Sequence, residues 1–217
     1  MKKVLSFIAT ILFIATVNAQ DPFFSQWTKE ETDLANTAAN TQLTEQEQQV
    51  IYLCNLARLN GKKFWDTYAS KHINNKRSSN ISSLKSDLLG ISNLPMLEPE
   101  SALCKSATYH AEDLGQTGEV GHTSSNGKSF SERLESYFDC MAYAENCSYG
   151  YSQAIDIVMQ LLIDDNVASL GHRKNILNPK YKSIGVSIRP HAKYRYNCVM
   201  DFADIVKDKL QQTETNK

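Results

Sequence analysis

An α+β fold is predicted by three features of the chain. Apolar residues recur at helical spacing in several segments between about residues 44 and 164. Strict alternation of apolar and other side chains appears only after residue 183. Helices first and strands last favour packed layers with antiparallel strands over a parallel sheet, which needs strands and helices in turn.

The first helix opens at Thr44, an N-cap with Glu47 three residues on in a capping-box pattern. Val50, Leu53, Cys54 and Ala57 then mark one buried face. The Ser/Asn-rich stretch Ser70 to Ser83 breaks the pattern and reads as an irregular connection. A second helix follows Leu94 to Pro99, with Leu103, Ala107, His110 or Ala111, and Leu114 on one face. A single imidazole on an apolar face is expected to be a packed, hydrogen-bonded core group, so His110 is read as structural. Gly115 to Gly118 should end that helix. Short helical patterns run from Ser129 to Phe138 and from Ser152 to Asp164. Asp164 and Asp165 sit at the end of the latter, where the helix dipole disfavours acids, and a local rule broken there invites a functional reason. Ile184, Val186 and Ile188, then Tyr194 to Phe202, alternate on either side of Pro190 to Lys193 and predict a hairpin.

Lys2 and Lys3 precede an apolar run to Val17, and Val17-Asn18-Ala19 suits a cleavage site, so residues 1–19 read as a secretory signal peptide. The run is shorter than the roughly 20 residues of a spanning helix, which argues against stable membrane insertion. Residues 20–43 are polar and expected to form a loosely packed arm, residues 44–206 a single domain, and residues 207–217 a frayed polar tail. Loss of the leader takes the net charge from -1 to -3, which gives no electrostatic case for nucleic acid. Five cysteines in an exported chain allow disulfides. Cys140 and Cys147 bracket Met141 to Asn146, and a bridge between them would pin Glu145. Cys54 reads as a buried hydrophobe, and pairing of Cys104 with Cys198 stays open.

Chemistry concentrates in four polar islands: Gly121-His122-Thr123, Ala144-Glu145-Asn146, Asp164-Asp165, and Gly171-His172 running on to Leu177. Two imidazoles and two carboxylates are the parts of a divalent-metal or acid/base site. A Cys-His nucleophile using Cys147, or a hydroxyl-His-Glu arrangement of Ser124, Ser125 or Thr123 with His122, is the sharper enzymatic alternative. The expected bridge removes the first, and the second matches no nucleophile motif.

The order of His, Ala-Glu-Asn, a second acid and Gly-His resembles the CAP superfamily of cysteine-rich secretory, antigen 5 and pathogenesis-related proteins, and Gly171 to Pro179 resembles its bacterial branch. The resemblance runs from about Leu43 to Ala203. It implies an α-β-α sandwich in which helices cover both faces of a small antiparallel sheet. It also implies a cleft where His122, Glu145, Asp164 and His172 hold a divalent cation, zinc or else magnesium or calcium, with Asp165 as an alternative to Asp164. His122, Glu145 and His172 are then the candidate catalytic groups, with Glu145 as general base in a metal-assisted envelope hydrolase. The broader expectation is a secreted or periplasmic binding module for an extracellular lipid, glycan or peptide, with a purely structural interaction module as the third possibility.

Overall fold

The computed structural model describes residues 26–73, 78–204 and 207–208. The signal peptide expected over residues 1–19 lies outside them. Helix α1 (Lys29–Ala35) starts from a capping box formed by Thr28 and Glu31. Trp27, Ala35 and Ala38 are buried in the main core, and the Trp27 indole donates to Thr67 Oγ1 at 3.1 Å. The described part of the expected loose arm is therefore packed, because its few apolar residues supply an indole and two methyls to one face of the core.

Helix α2 (Glu45–Leu59) has the capping box read at Thr44 and Glu47, and from Val50 to Leu59 every residue is buried. Helix α3 (Gly61–Phe64), a π-helical turn (Trp65–Ala69) and α4 (Ser70–His72) continue it, and α5 (Asn80–Leu89) follows. The Ser/Asn-rich stretch is thus helical at both ends. Ser83 Oγ donates to Asn80 O at 2.9 Å, so a side chain that could compete with the backbone instead folds back onto its own helix.

The remaining elements are β1 (Glu98–Pro99), α6 (Ser101–Thr117), α7 (Phe130–Glu135), β2 (Phe138–Asp139), β3 (Tyr143–Tyr149), α8 (Ala154–Ile163), α9 (Gly171–Ile176), β4 (Ser183–His191), β5 (Arg195–Ala203) and β6 (Lys207–Asp208). The main sheet has the order β1-β4-β5-β3. The β4–β5 hairpin and the β3–β5 pair are antiparallel, whereas β1 joins β4 in parallel. That last pairing departs from the all-antiparallel expectation. It arises because the chain entering α6 lays Glu98 N–H on Lys182 O and Glu100 N–H on Ile184 O, covering the end of β4 that would otherwise be bare. Strand β6 pairs with β2, so the first two residues of the expected tail are structured.

Strand alternation divides the sheet's side chains between two layers. Ile184, Val186, Cys198, Met200 and Phe202 join the core formed with α2 and α8. Cys147 and Val199 face Ala107 and Ala111 of α6 on the other side. Helices cover both faces, so the fold is the α-β-α sandwich of the expected class.

Two glycines set the distance between α6 and the sheet. A Cβ on Gly185 would lie 2.1 Å from Leu103 C and 2.3 Å from Cys104 N. One on Gly115 would lie 2.3 Å from Pro190 O. Gly115 is therefore a contact point inside the helix rather than its end; Gly118, at φ 73°, is the left-handed C-cap.

Buried guanidiniums tie the layers together. Arg58 donates to Pro95 O, Ile176 O, Asn178 O and Tyr181 O at 2.7–3.0 Å, and burial brings its pKa down to about 10. Arg173 of α9 donates to Leu162 O and Ile163 O at the end of α8 and to Asp87 of α5.

Backbone atoms cannot yield as a flexible side-chain end can. Gly185→Ala is therefore expected to cost about 3 kcal/mol in urea unfolding, at the upper end of overpacking penalties. Gly90→Ala, with its nearest clash atom at 3.4 Å, should stay near the wild-type midpoint.

Candidate functional site

Strand β3 carries the Ala144-Glu145-Asn146 island, and its pleat sends consecutive residues to opposite faces. Glu145 turns toward α6 and α7. Its Oε1 meets His122 Nδ1 at 2.7 Å and its Oε2 pairs with Arg133 of α7. Asn146 turns the other way, donating to His172 O at 3.0 Å and accepting from Asn175 Nδ2 at 2.8 Å. One strand thus positions the two histidine-bearing segments, one from each face.

The second His/acid pair comes from the junction of α8 and α9. Asp164 is the C-cap of α8 in a left-handed conformation, φ 56°. Its Oδ1 meets His172 Nδ1 at 2.6 Å, while its Oδ2 accepts from His172 N–H at 2.9 Å and Arg173 N–H at 3.3 Å. The acid that looked misplaced at a helix end therefore serves the start of the next helix, where negative charge is favourable. Asp165 is exposed and accepts from Ser78 Oγ at 2.8 Å, so Asp164 is the acid beside His172. Asp164, Asn166 and Leu170 all have positive φ, at 56°, 62° and 53°. Asp and Asn tolerate this region well, whereas Leu170 carries a strain of about 1–2 kcal/mol to bring α9 back against α8.

Both carboxylates are 1% exposed as side chains, whereas His122 is 51% and His172 27% exposed. Each imidazole thus spends Nδ1 on a buried acid and leaves Nε2, across the ring, on the accessible side. His172, Asp164, Cys147, Tyr151 and Gln160 line a cleft of about 480 Å³. The carboxylate oxygens of Glu145 and Asp164 are already occupied by hydrogen-bond donors, so these acids orient the rings. Such carboxylate–imidazole pairs are the usual support of a metal-binding histidine.

Burial pushes the Glu145 carboxyl up, but the His122 hydrogen bond and the Arg133, His110 and His122 charges outweigh it and hold it below the usual range. Arg133 is itself fixed by donating to His122 O at 3.2 Å and Ser124 Oγ at 3.1 Å. His110 is fully buried and meets Gly121 O at 3.0 Å through Nε2, the structural part expected of it. Burial, above all, lowers its pKa. Tyr149 Oη accepts from Gly121 N–H at 2.8 Å, so the loop ahead of His122 is held on both its N–H and C=O sides.

His110, Glu145 and Cys147 also bring ligand atoms within 4.8 Å of one another. A cation at that point would face the Arg133 guanidinium, and His110 Nε2 is already taken by a carbonyl. The exposed rings of His122 and His172 are the better donors.

The Cys140–Cys147 bridge is not formed, and no disulfide occurs among the described residues. The four steps from Tyr143 to Cys147 along β3 alone span about 13 Å, and a bridge needs Cα atoms within about 7 Å. Cys140 packs beside Leu134 and Ala203, whereas Cys147 lies in the Ala107 and Val199 group. Cys104 and Cys198 are also unbridged. Cys147 does not become a nucleophile in consequence. Its Sγ lies 3.8 Å from His122 Nδ1, the nitrogen that Glu145 occupies, and burial, then the Glu145 and Asp201 charges, push its thiol well above the usual range. Ser124 contacts Arg133 and His110, and Ser125 contacts Asp113, so neither serine sits on the His122 ring.

Two members of the site went unread in the sequence. Arg133 lies in a short helix whose Ser129–Glu132 capping box marks its start and says nothing of the guanidinium's partner. Asp201 had a signal: alternation in β5 places it with Asn197 and Val199 on the α6 face, where an acid needs a reason.

Arg133→Met should destabilise the protein by about 3–5 kcal/mol in urea unfolding, because it leaves Glu145 buried without its cation. Alkylation of the denatured, unreduced protein is expected to add five labels by mass spectrometry, one for each cysteine of the chain. In the native state Cys104 and Cys140 should react before the more buried Cys54, Cys147 and Cys198.

A model of the cysteine-rich secretory protein (CAP) family matches residues 71–202, more than half of the chain. Among solved structures, an extracellular protein containing an SCP domain from Bacillus anthracis is similar at 19% identity over 82% of this chain and 44% of that one, with a TM-score of 0.48. An outer surface protein from Borrelia burgdorferi is similar at 25% identity over 60% of this chain and 89% of that one, TM-score 0.44. A cysteine-rich secretory protein from Staphylococcus aureus follows at 17% identity, 81% and 48% coverage, and TM-score 0.42. The chain spans less than half the length of the Bacillus and Staphylococcus proteins. No curated protein matches.

Proposed function

The chain belongs to the cysteine-rich secretory protein (CAP) family, and from that premise we propose that it is an extracellular or periplasmic module that binds a divalent cation through His122 and His172. The supporting observation is that each exposed imidazole is held through Nδ1 by a buried carboxylate, Glu145 or Asp164. Zinc suits two neutral imidazole nitrogens better than magnesium or calcium, which prefer all-oxygen surroundings. When bound, such an ion supplies Lewis-acid polarisation of a ligand oxygen or water. The chain's own contribution is to fix both ring tautomers and to offer the adjoining cleft, lined by Tyr151, Gln160 and Asp165, to an envelope lipid, glycan or peptide.

Binding is favoured over hydrolysis by the surroundings of Glu145. A general base must reach its proton, and this carboxylate is 1% exposed and engaged on both oxygens.

Calorimetric titration of zinc into the metal-stripped protein tests the reading, with magnesium and calcium as comparisons. Saturable zinc binding is expected, at least tenfold weaker in His122→Ala and in His172→Ala, and 10- to 100-fold weaker in Glu145→Gln, in line with losses at supporting residues. Absence of zinc binding in the wild type would overturn it.

A further inference from the structure

Asp201 has no part in the pairs described above, yet it stands directly behind one of them. Glu145 and Asp201 are opposed in the β3–β5 register, which sets their side chains next to each other on the α6 face of the sheet. Asp201 is fully buried. Its Oδ2 accepts from Ser106 Oγ of α6 at 2.6 Å, and its Oδ1 has no donor among the described residues.

The charged and titratable groups around it come from every neighbouring element. Arg133 approaches from α7 and is turned onto Glu145 Oε2. His110 of α6 lies 3.8 Å from Glu145 Oε1. The Cys104 and Cys147 thiols and the Tyr137 phenol lie within electrostatic reach of the Asp201 carboxyl. The full cation in this set is Arg133, and Glu145 already matches it. A second carboxylate would be an uncompensated buried charge, held against a like charge. Two carboxylates offer acceptors and no donor, so a single proton between them turns repulsion into a short charge-assisted hydrogen bond.

We infer that Asp201 is a positioning residue of the site: a neutral acid that donates a hydrogen bond to Glu145 and fixes the carboxylate that orients His122. Burial, and then the Glu145 charge, raise the Asp201 carboxyl well above the usual range, which agrees with the geometry. Protonated buried acids serve other sites as hydrogen-bond donors in the same way. The inference rests on reading His122 and Glu145 as a working pair, and it requires no bound cation.

Infrared spectroscopy of the full, metal-stripped chain carrying ¹³C-aspartate tests it. The wild type at neutral pH should show a protonated carboxylic carbonyl band that shifts with the label and disappears in Asp201→Asn. The other buried aspartate among the described residues, Asp164, accepts two backbone N–H groups and is not expected to contribute. A wild type without the band overturns the inference even if the variant does not fold, and so does a band that persists in the variant.

A second readout follows from proton linkage. A carboxyl whose folded pKa lies above its unfolded value contributes stability that is complete at low pH and lost as pH rises toward the folded value. Between pH 5 and pH 8 the folding constant of the wild type should therefore fall relative to Asp201→Asn, by up to tenfold per pH unit. Parallel profiles overturn the inference. Because neither readout involves zinc, a wild type that shows the band and the pH slope but binds no ion would leave Asp201's role intact while ending the cation reading.

Discussion

The pleat of β3 is the constraint on which the rest of the site depends. Successive residues of a strand must face opposite ways. Glu145 and Asn146 can therefore never serve the same layer, and the two histidine-bearing segments are recruited from opposite faces of the sheet. The loop after α6 is held by Glu145, and α9 by Asn146. Strand β3 is the outermost strand on its side of the sheet, so both segments reach it without another strand intervening.

Electrostatics then arranges the site in depth. Arg133 and Glu145 are both almost fully buried, and a buried ion pair contributes little net stability while the loss of either member costs much. Such a pair is better understood as fixing geometry. The buried charge is balanced behind the rings, and the imidazoles form the surface that meets solvent. The tight α6 contact at Gly185 supports the same depth order by keeping the helix that carries His110 and Ser106 against the sheet.

Much of the fold was legible because capping boxes, helical periodicity and strand alternation are local. Thr44, Ser129 and the β4–β5 hairpin stand where the sequence put them. His110 as a packed core group and Asp164 as the acid near His172 were readable for the same kind of reason. The misses were long-range. Bracketing of Met141 to Asn146 by two cysteines suggested a bridge because sequence spacing carries no direction, and an extended strand holds its ends apart. Arg133 joins Glu145 only through tertiary packing. Trp27 looked like part of a polar arm because its polar neighbours dominate the local composition, while burial is decided by where one indole can go.

Arg58 has a bearing on the order in which the molecule is completed. It is fully buried and its hydrogen bonds are to main-chain carbonyls, three of which come from residues 176, 178 and 181. A chain growing from its N-terminus makes this guanidinium more than a hundred residues before those acceptors exist. Helix α2 thus cannot dehydrate its arginine on early partners alone, and an N-terminal fragment lacks the means to settle prematurely. The core is therefore closed from the far end of the chain: residues 176, 178 and 181 supply acceptors without which the Arg58 guanidinium would be buried short of partners.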